Sequence, residues 1–157
     1  AVGTFGALVA GTAMEKESML RRAPTYIKKK ALPPAVAAAT RESLRVMQDE
    51  PWRRGRVLEH AARFRVGLAD LGLPSLPSRT PIQPVLIGAE AAAVVASHAL
   101  FDQGFWVPAI RPPTVPVGTS RLRFTFSASH TEAQVEQLLA ALRTLRDCGV
   151  IRPTTAA

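Results

Sequence analysis

"RLRFTFSASHTEAQVEQ", residues 121–137, changes its hydrophobic period halfway along. Leu122, Phe124 and Phe126 alternate with Arg121, Arg123 and Thr125. That two-residue repeat predicts a strand over 121–127 with one apolar and one polar face. Thr131 and Gln134 then stand as a capping box, and Val135, Leu138, Leu139, Leu142 and Leu145 recur at helical spacing. A one-faced strand followed at once by a one-striped helix predicts that the helix covers the sheet.

The same alternation of elements extends upstream. "IQPVLI" (82–87) predicts a strand, residues 90–103 a helix closed by Gly104, and "FWVPAI" (105–110) a strand whose Pro108 suits an edge or bulge. The resulting order β-α-β-β-α defines a small α+β domain with its helices on one face of a short sheet. A proline-punctuated connection, "GLPSLPSRTP" (72–81), precedes it.

Before that, a helix starts near Asp49 and Pro51 and ends at Gly72, with the stripe Val57, Ala61, Phe64, Leu68 and Leu71 facing a core. Arg53, Arg54, Arg56 and Arg63 face water. Asp49 and Glu50 read as acids at the start of that helix, where its dipole favours them. Residues 35–47 predict an Ala-rich helix behind Pro33 and Pro34. Residues 15–23 predict a helix with Met19 and Leu20 on one face, and residues 1–12 a strand or turn in which "GALVAG" (6–11) is a buried strand.

With 157 residues, 47% apolar and 20% charged, the chain has the composition of one folded domain. No apolar run reaches the ~20 residues of a membrane-spanning helix. Cys148 is the one cysteine, which permits no internal disulfide and fits a reducing compartment. The first Met is Met14, so residue 1 reads as a start in mid-sequence. The net charge of +8 is uneven, because residues 1–66 hold 13 basic against 6 acidic side chains and residues 67–157 hold 7 against 6. Such a surface attracts phosphates or is simply solvated. Nucleic acid is disfavoured, since stacking aromatics are not interleaved with the arginines.

Chemistry-bearing constellations are few. His60, His98 and His130 lack metal-pair spacing, and no zinc site is credible beside a lone cysteine. His98 and His130 read as structural. No phosphate loop, nucleophile elbow or dinucleotide fingerprint is present. Arg111 stands out because it follows a strand and precedes Pro112 and Pro113, which fix the backbone around it. A guanidinium on such a mount grips a carboxylate in bidentate fashion or forms a structural salt bridge. Thr114 adds a hydroxyl to the same ligand or to the turn.

"WVPAIRPPTVPVGTSRLRFTFSASHTEAQ" (106–134), "ALPPAVAAAT" (31–40), "RFRVGLADLGLP" (63–74) and "TPIQPVLIG" (80–88) resemble, in this order, the C-terminal region of 8-amino-7-oxononanoate synthases of the α-oxoamine synthase group. Related synthases share the "RLRFTFSASHT" ending but usually differ at Arg-Pro-Pro-Thr. The resemblance implies an aspartate-aminotransferase-like fold, PLP fold type I, with a large α/β cofactor domain and a small α+β domain in a cytoplasmic homodimer. Residues 1–48 would be the end of the large domain and a connecting helix, and residues 49–157 the small domain. The implied reaction joins pimeloyl-CoA, or the carrier-protein thioester, to L-alanine with decarboxylation, in biotin biosynthesis and with pyridoxal 5'-phosphate.

By that resemblance Arg111 matches the arginine that binds the amino-acid carboxylate, and Thr114 a substrate-binding threonine. The family's Schiff-base lysine, in a Thr-x-Gly-Lys motif, would fall just before Ala1, so the chain by itself is expected to be inactive. The family's ring-stacking aromatic, pyridine-pairing aspartate and ring-facing histidine also have no match. Lys29 and Lys30 stand where the family commonly has hydroxyls that reach the cofactor phosphate of the partner subunit. With Lys28 they read as phosphate-binding, as a solvated run, or as degenerate sequence. A non-enzymatic module that binds phosphate or supports dimerisation is the alternative.

Overall fold

Helix caps and prolines set most of the element boundaries in the computed structural model, which describes residues 3–5, 10–23 and 33–152. These residues divide between two units, Ala1–Pro51 and Trp52–Ala157. In the first, α1 (Ala13–Arg22) opens on a capping box. Thr12 donates its backbone N–H to Glu15 Oε2 at 2.7 Å and its hydroxyl at 2.8 Å. These two bonds hold the Glu15 carboxyl below its ordinary pKa. Met19 and Leu20 are both exposed.

Helix α2 (Pro34–Asp49) starts on Pro34, whose missing N–H costs nothing in a first turn. Asp49 and Glu50 end this helix instead of starting the next: Asp49 is its last residue, and the Glu50 N–H donates to Val46 O. The dipole disfavours acids there. Arg45, 3.4 Å from Asp49 and 2.6 Å from Glu42, compensates. The "GALVAG" strand expected at 6–11 lies largely outside the described residues.

The second unit contains α3 (Trp52–Asp70), β1 (Ile82–Gly88), α4 (Glu90–Phe101), β2 (Ala109–Ile110), β3 (Ser120–Thr125) and α5 (Glu132–Asp147). The β-α-β-β-α order is as read from the sequence. The strands form an antiparallel sheet in the order β1-β3-β2. Ile82 pairs with Thr125 and Leu86 with Arg121, and a bulge then sets Gly88 against Ser120. Pro84 is tolerated because its nitrogen faces the outer edge of β1. There Leu76 N–H donates to Pro84 O and Leu86 N–H to Pro74 O, so the ladder to β3 loses no donor.

Strand alternation then assigns the faces. Val85, Leu122, Phe124 and Phe126 are buried on one side with Phe64 and Leu68 of α3, Leu100 of α4, and Val135, Leu138, Leu142 and Leu145 of α5. Arg123 and Thr125 are exposed on the other side. Phe64 is fully buried, its ring centre 4.8 Å from Phe124 and 5.1 Å from Phe126. Ala61 and Leu71 complete the expected α3 stripe, and Val57 is half-buried. Gly72 (φ +66°) ends the helix in a Schellman motif, Leu73 N–H donating to Leu68 O and Gly72 N–H to Ala69 O.

The strand expected over 105–110 is shorter, reduced to Ala109–Ile110. Pro108 has no N–H to give, although its carbonyl still accepts from Arg123 N–H at 3.1 Å. Beyond it the chain leaves the ladder, because Val107 O accepts from Ser97 Oγ of α4 at 2.6 Å. At the start of α5, Thr131 and Gln134 form the expected capping box, at 2.8 and 3.2 Å. Thr131→Ala should cost about 1 kcal/mol. A lowered urea midpoint with unchanged m would report it; an unchanged midpoint would show that the cap carries no stability.

Candidate functional site

The β2–β3 connection carries Arg111 at its start. Ile110 pairs with Arg121 across the sheet, and the chain then turns at Arg111–Thr114. Thr114 N–H donates to Arg111 O at 3.0 Å, and the Pro112–Pro113 peptide is cis. Both prolines restrict φ, so the backbone under Arg111 has little freedom. Further on, Thr119 N–H donates to Pro116 O at 3.1 Å, and Arg121 Nε donates to Thr119 O at 3.0 Å. These bonds tie the far end of the connection to β3.

Arg111 lies beside the start of α4. Its Nη1 donates to Glu90 Oε1 at 2.8 Å, with the two side chains 51% and 52% exposed. The pair spans 21 residues and forms because the β1–α4 corner meets the hairpin connection: a Cβ added to Gly88 would lie 3.6 Å from Gly118 O. Of the two roles open to Arg111 in the sequence, the structure therefore supplies a salt bridge, but an exposed one. Such pairs contribute about 0–1 kcal/mol and open readily. Thr114 is exposed, and its hydroxyl has no hydrogen bond among the described residues. Sequence reasoning missed Glu90, whose only local signal was an acid in a helix's first turn.

The other candidates separate from this site. His60 is buried, and its Nε2 donates to His130 O at 2.9 Å, while His130 Nδ1 accepts from Ser127 N–H. Both histidines are thus structural ties between α3 and the β3–α5 connection. A depression of about 300 Å³ is lined by Phe105, Trp106, Phe124, Phe126, His130 and Gln134, among others. It is the gap left where the chain peels away from β3, and it contains neither Arg111 nor Thr114. Of its polar groups, His130 Nδ1 and Gln134 Oε1 are engaged, by Ser127 N–H and by the helix cap.

Part of the basic surface is paired within the chain. Arg45 pairs with Glu42, and Arg63 pairs with Glu132 at 2.9 Å. Arg53 and Arg56 lie over the Trp52 ring, 4.8 and 5.7 Å from its centre. Lys28, Lys29 and Lys30 lie outside the described residues. No group of acids, histidines or cysteines among the described residues has the arrangement of a metal site. None of the described helices is long and apolar enough to cross a membrane.

The chain as a whole, including this α+β unit, matches a known class. The family described as aminotransferase class I and II matches residues 1–142, and the chain belongs to it. Within that class, an 8-amino-7-oxononanoate synthase of Cellvibrio japonicus is 52% identical over 97% of this chain. One of Methylococcus capsulatus is 54% identical over 90%. The chain spans 38% and 37% of the length of these two relatives.

Among solved structures, a Sphingomonas wittichii serine palmitoyltransferase matches with TM-score 0.87 and 29% identity, covering 96% of this chain and 39% of its own. The 8-amino-7-oxononanoate synthase of Francisella tularensis matches with TM-score 0.80 and 25% identity, covering 96% and 44%. Between these structures the palmitoyltransferase has the higher TM-score and identity, whereas the synthase sequences named above reach 52% and 54% identity.

Another neighbour, at TM-score 0.87 and 31% identity, is an SPT with a PLP internal aldimine. The described residues here do not fit that cofactor. Lys16 is the one lysine among them, exposed on α1 and in the unit that lacks Arg111. Beside Arg111 stand the Glu90 carboxylate and the Thr114 hydroxyl, and neither anchors a pyridoxal ring.

Proposed function

We propose that the chain is the C-terminal part of an 8-amino-7-oxononanoate synthase, the enzyme that joins a pimeloyl thioester to L-alanine with loss of CO2. Its 52% identity to a synthase over 97% of its length is the observation that carries this reading. The chain spans 38% of that relative's length; in this reading the remainder of the intact enzyme, a cytoplasmic homodimer, supplies the cofactor chemistry. Residues 1–48 close the large domain and residues 49–157 form the small one. Lys29 and Lys30 add positive charge toward a cofactor phosphate.

Within this unit the task is substrate binding. Arg111 has five donors in a rigid fork, so it holds the alanine carboxylate and thereby fixes the amino acid at the reacting centre. Thr114, two prolines further on, offers a hydroxyl to the same ligand. Both are exposed, which lets a ligand reach them from the side of the unit not filled by its own core.

Exchanging this chain for the matching stretch of the Cellvibrio japonicus synthase tests the assignment. The chimera should release CO2 and form product with L-alanine and a pimeloyl thioester. A chimera that folds and uses L-serine in preference to L-alanine would overturn it.

A further inference from the structure

We propose that Glu90 is an internal stand-in for the ligand's carboxylate: it occupies Arg111 while the site is empty and has to leave before a ligand can bind. This rests on the carboxylate-binding reading of Arg111. Glu90 Oε1 accepts from Arg111 Nη1 at 2.8 Å, a charge-assisted distance, and so takes one arm of the fork that a bidentate carboxylate needs. Two carboxylates crowded on one guanidinium repel each other, so the ligand and Glu90 compete for it.

Two further observations make the exchange inexpensive. Both side chains are about half exposed, 51% and 52%, so breaking the pair strands no buried charge. Glu90 also has somewhere to go. It lies in the first turn of α4, where the N-cap residue is Ala89 and no side chain caps the free N–H groups. An acid released from Arg111 is still favoured there by the helix dipole. Glu90 thus has two positive partners and the ligand one, which makes Glu90 a setting for ligand affinity and not a structural tie.

The 157-residue chain, titrated with L-alanine and with acetate, provides the test, read from the NMR shift of the Arg111 side-chain Nε–H. Glu90→Gln should tighten binding of both ligands about two- to fivefold. Glu90→Asp retains the charge but is one methylene shorter, so it should tighten binding as well; a purely long-range field would leave it at the wild-type value. The gain should shrink toward nothing in about 1 M salt, where screening acts within ~3 Å. Arg111→Ala should abolish the saturable response, followed on the neighbouring backbone amides.

Equal or weaker binding by both Glu90 variants, with Arg111→Ala still inactive, overturns the stand-in role and leaves the carboxylate reading intact. Wild-type binding by Arg111→Ala overturns the carboxylate reading itself. Absence of saturation in all the Glu90 proteins, wild type included, also sinks the stand-in role, while the kinetics of the complete synthase still judge Arg111.

Discussion

Replacing Arg111 with alanine in the complete synthase should lower kcat/KM for L-alanine roughly 10- to 100-fold, the equivalent of losing hydrogen bonds to a charged group worth about 1.5–3 kcal/mol. The loss should appear mainly as a raised KM for alanine, because a carboxylate remote from the bond-making atoms is gripped throughout the reaction. KM for the pimeloyl thioester and the amount of cofactor bound should change little. Arg111→Lys should fall between the two, keeping the charge but losing the fork. Stability should hardly respond, since the ion pair to Glu90 is half exposed on both sides. Steady-state kinetics beside a thermal melt separate these effects, and unchanged alanine kinetics would reject the assigned role.

The largest stability effect should come from Phe64→Ala. Phe64 has no exposed surface and packs against Phe124 and Phe126, joining α3 to the covered face of the sheet. Truncation leaves a cavity between elements that backbone hydrogen bonds hold apart, at a cost of about 3–5 kcal/mol. Against a typical domain stability of roughly 5–15 kcal/mol, that removes a large share of the total. Phe64→Leu should cost distinctly less. Urea unfolding measures both; a loss below about 1 kcal/mol for Phe64→Ala would mean that the three-ring cluster is not the centre of the core.

Local chemistry made much of this fold legible. The capping box at Thr131 and Gln134, the alternation of Leu122, Phe124 and Phe126, and the stripe from Ala61 to Leu71 are each fixed by residues within a few positions of one another, and each is found as read. Misreadings arose where a side chain on a neighbouring element or turn decides the outcome. Residues 105–107 have strand-like composition, yet Pro108 cannot donate and Ser97 captures the Val107 carbonyl, so the strand stops. Asp49 and Glu50 looked like the start of a helix because Pro51 follows them, but Arg45 on the preceding helix makes their C-terminal position tolerable.

The candidate site divides in the same way. Arg111 could be found because two prolines follow it, a local peculiarity with a local consequence. Its partner Glu90, 21 residues away, is brought to it only when the β1–α4 corner meets the hairpin connection. No periodicity in the sequence encodes that meeting.

The most direct measurement is a crystal structure of the complete synthase with L-alanine bound. The predicted result has the alanine carboxylate on the Arg111 guanidinium at about 2.7–2.9 Å, with Glu90 displaced toward the start of its own helix. A structure in which Arg111 remains on Glu90 while the carboxylate is held by other residues would contradict it.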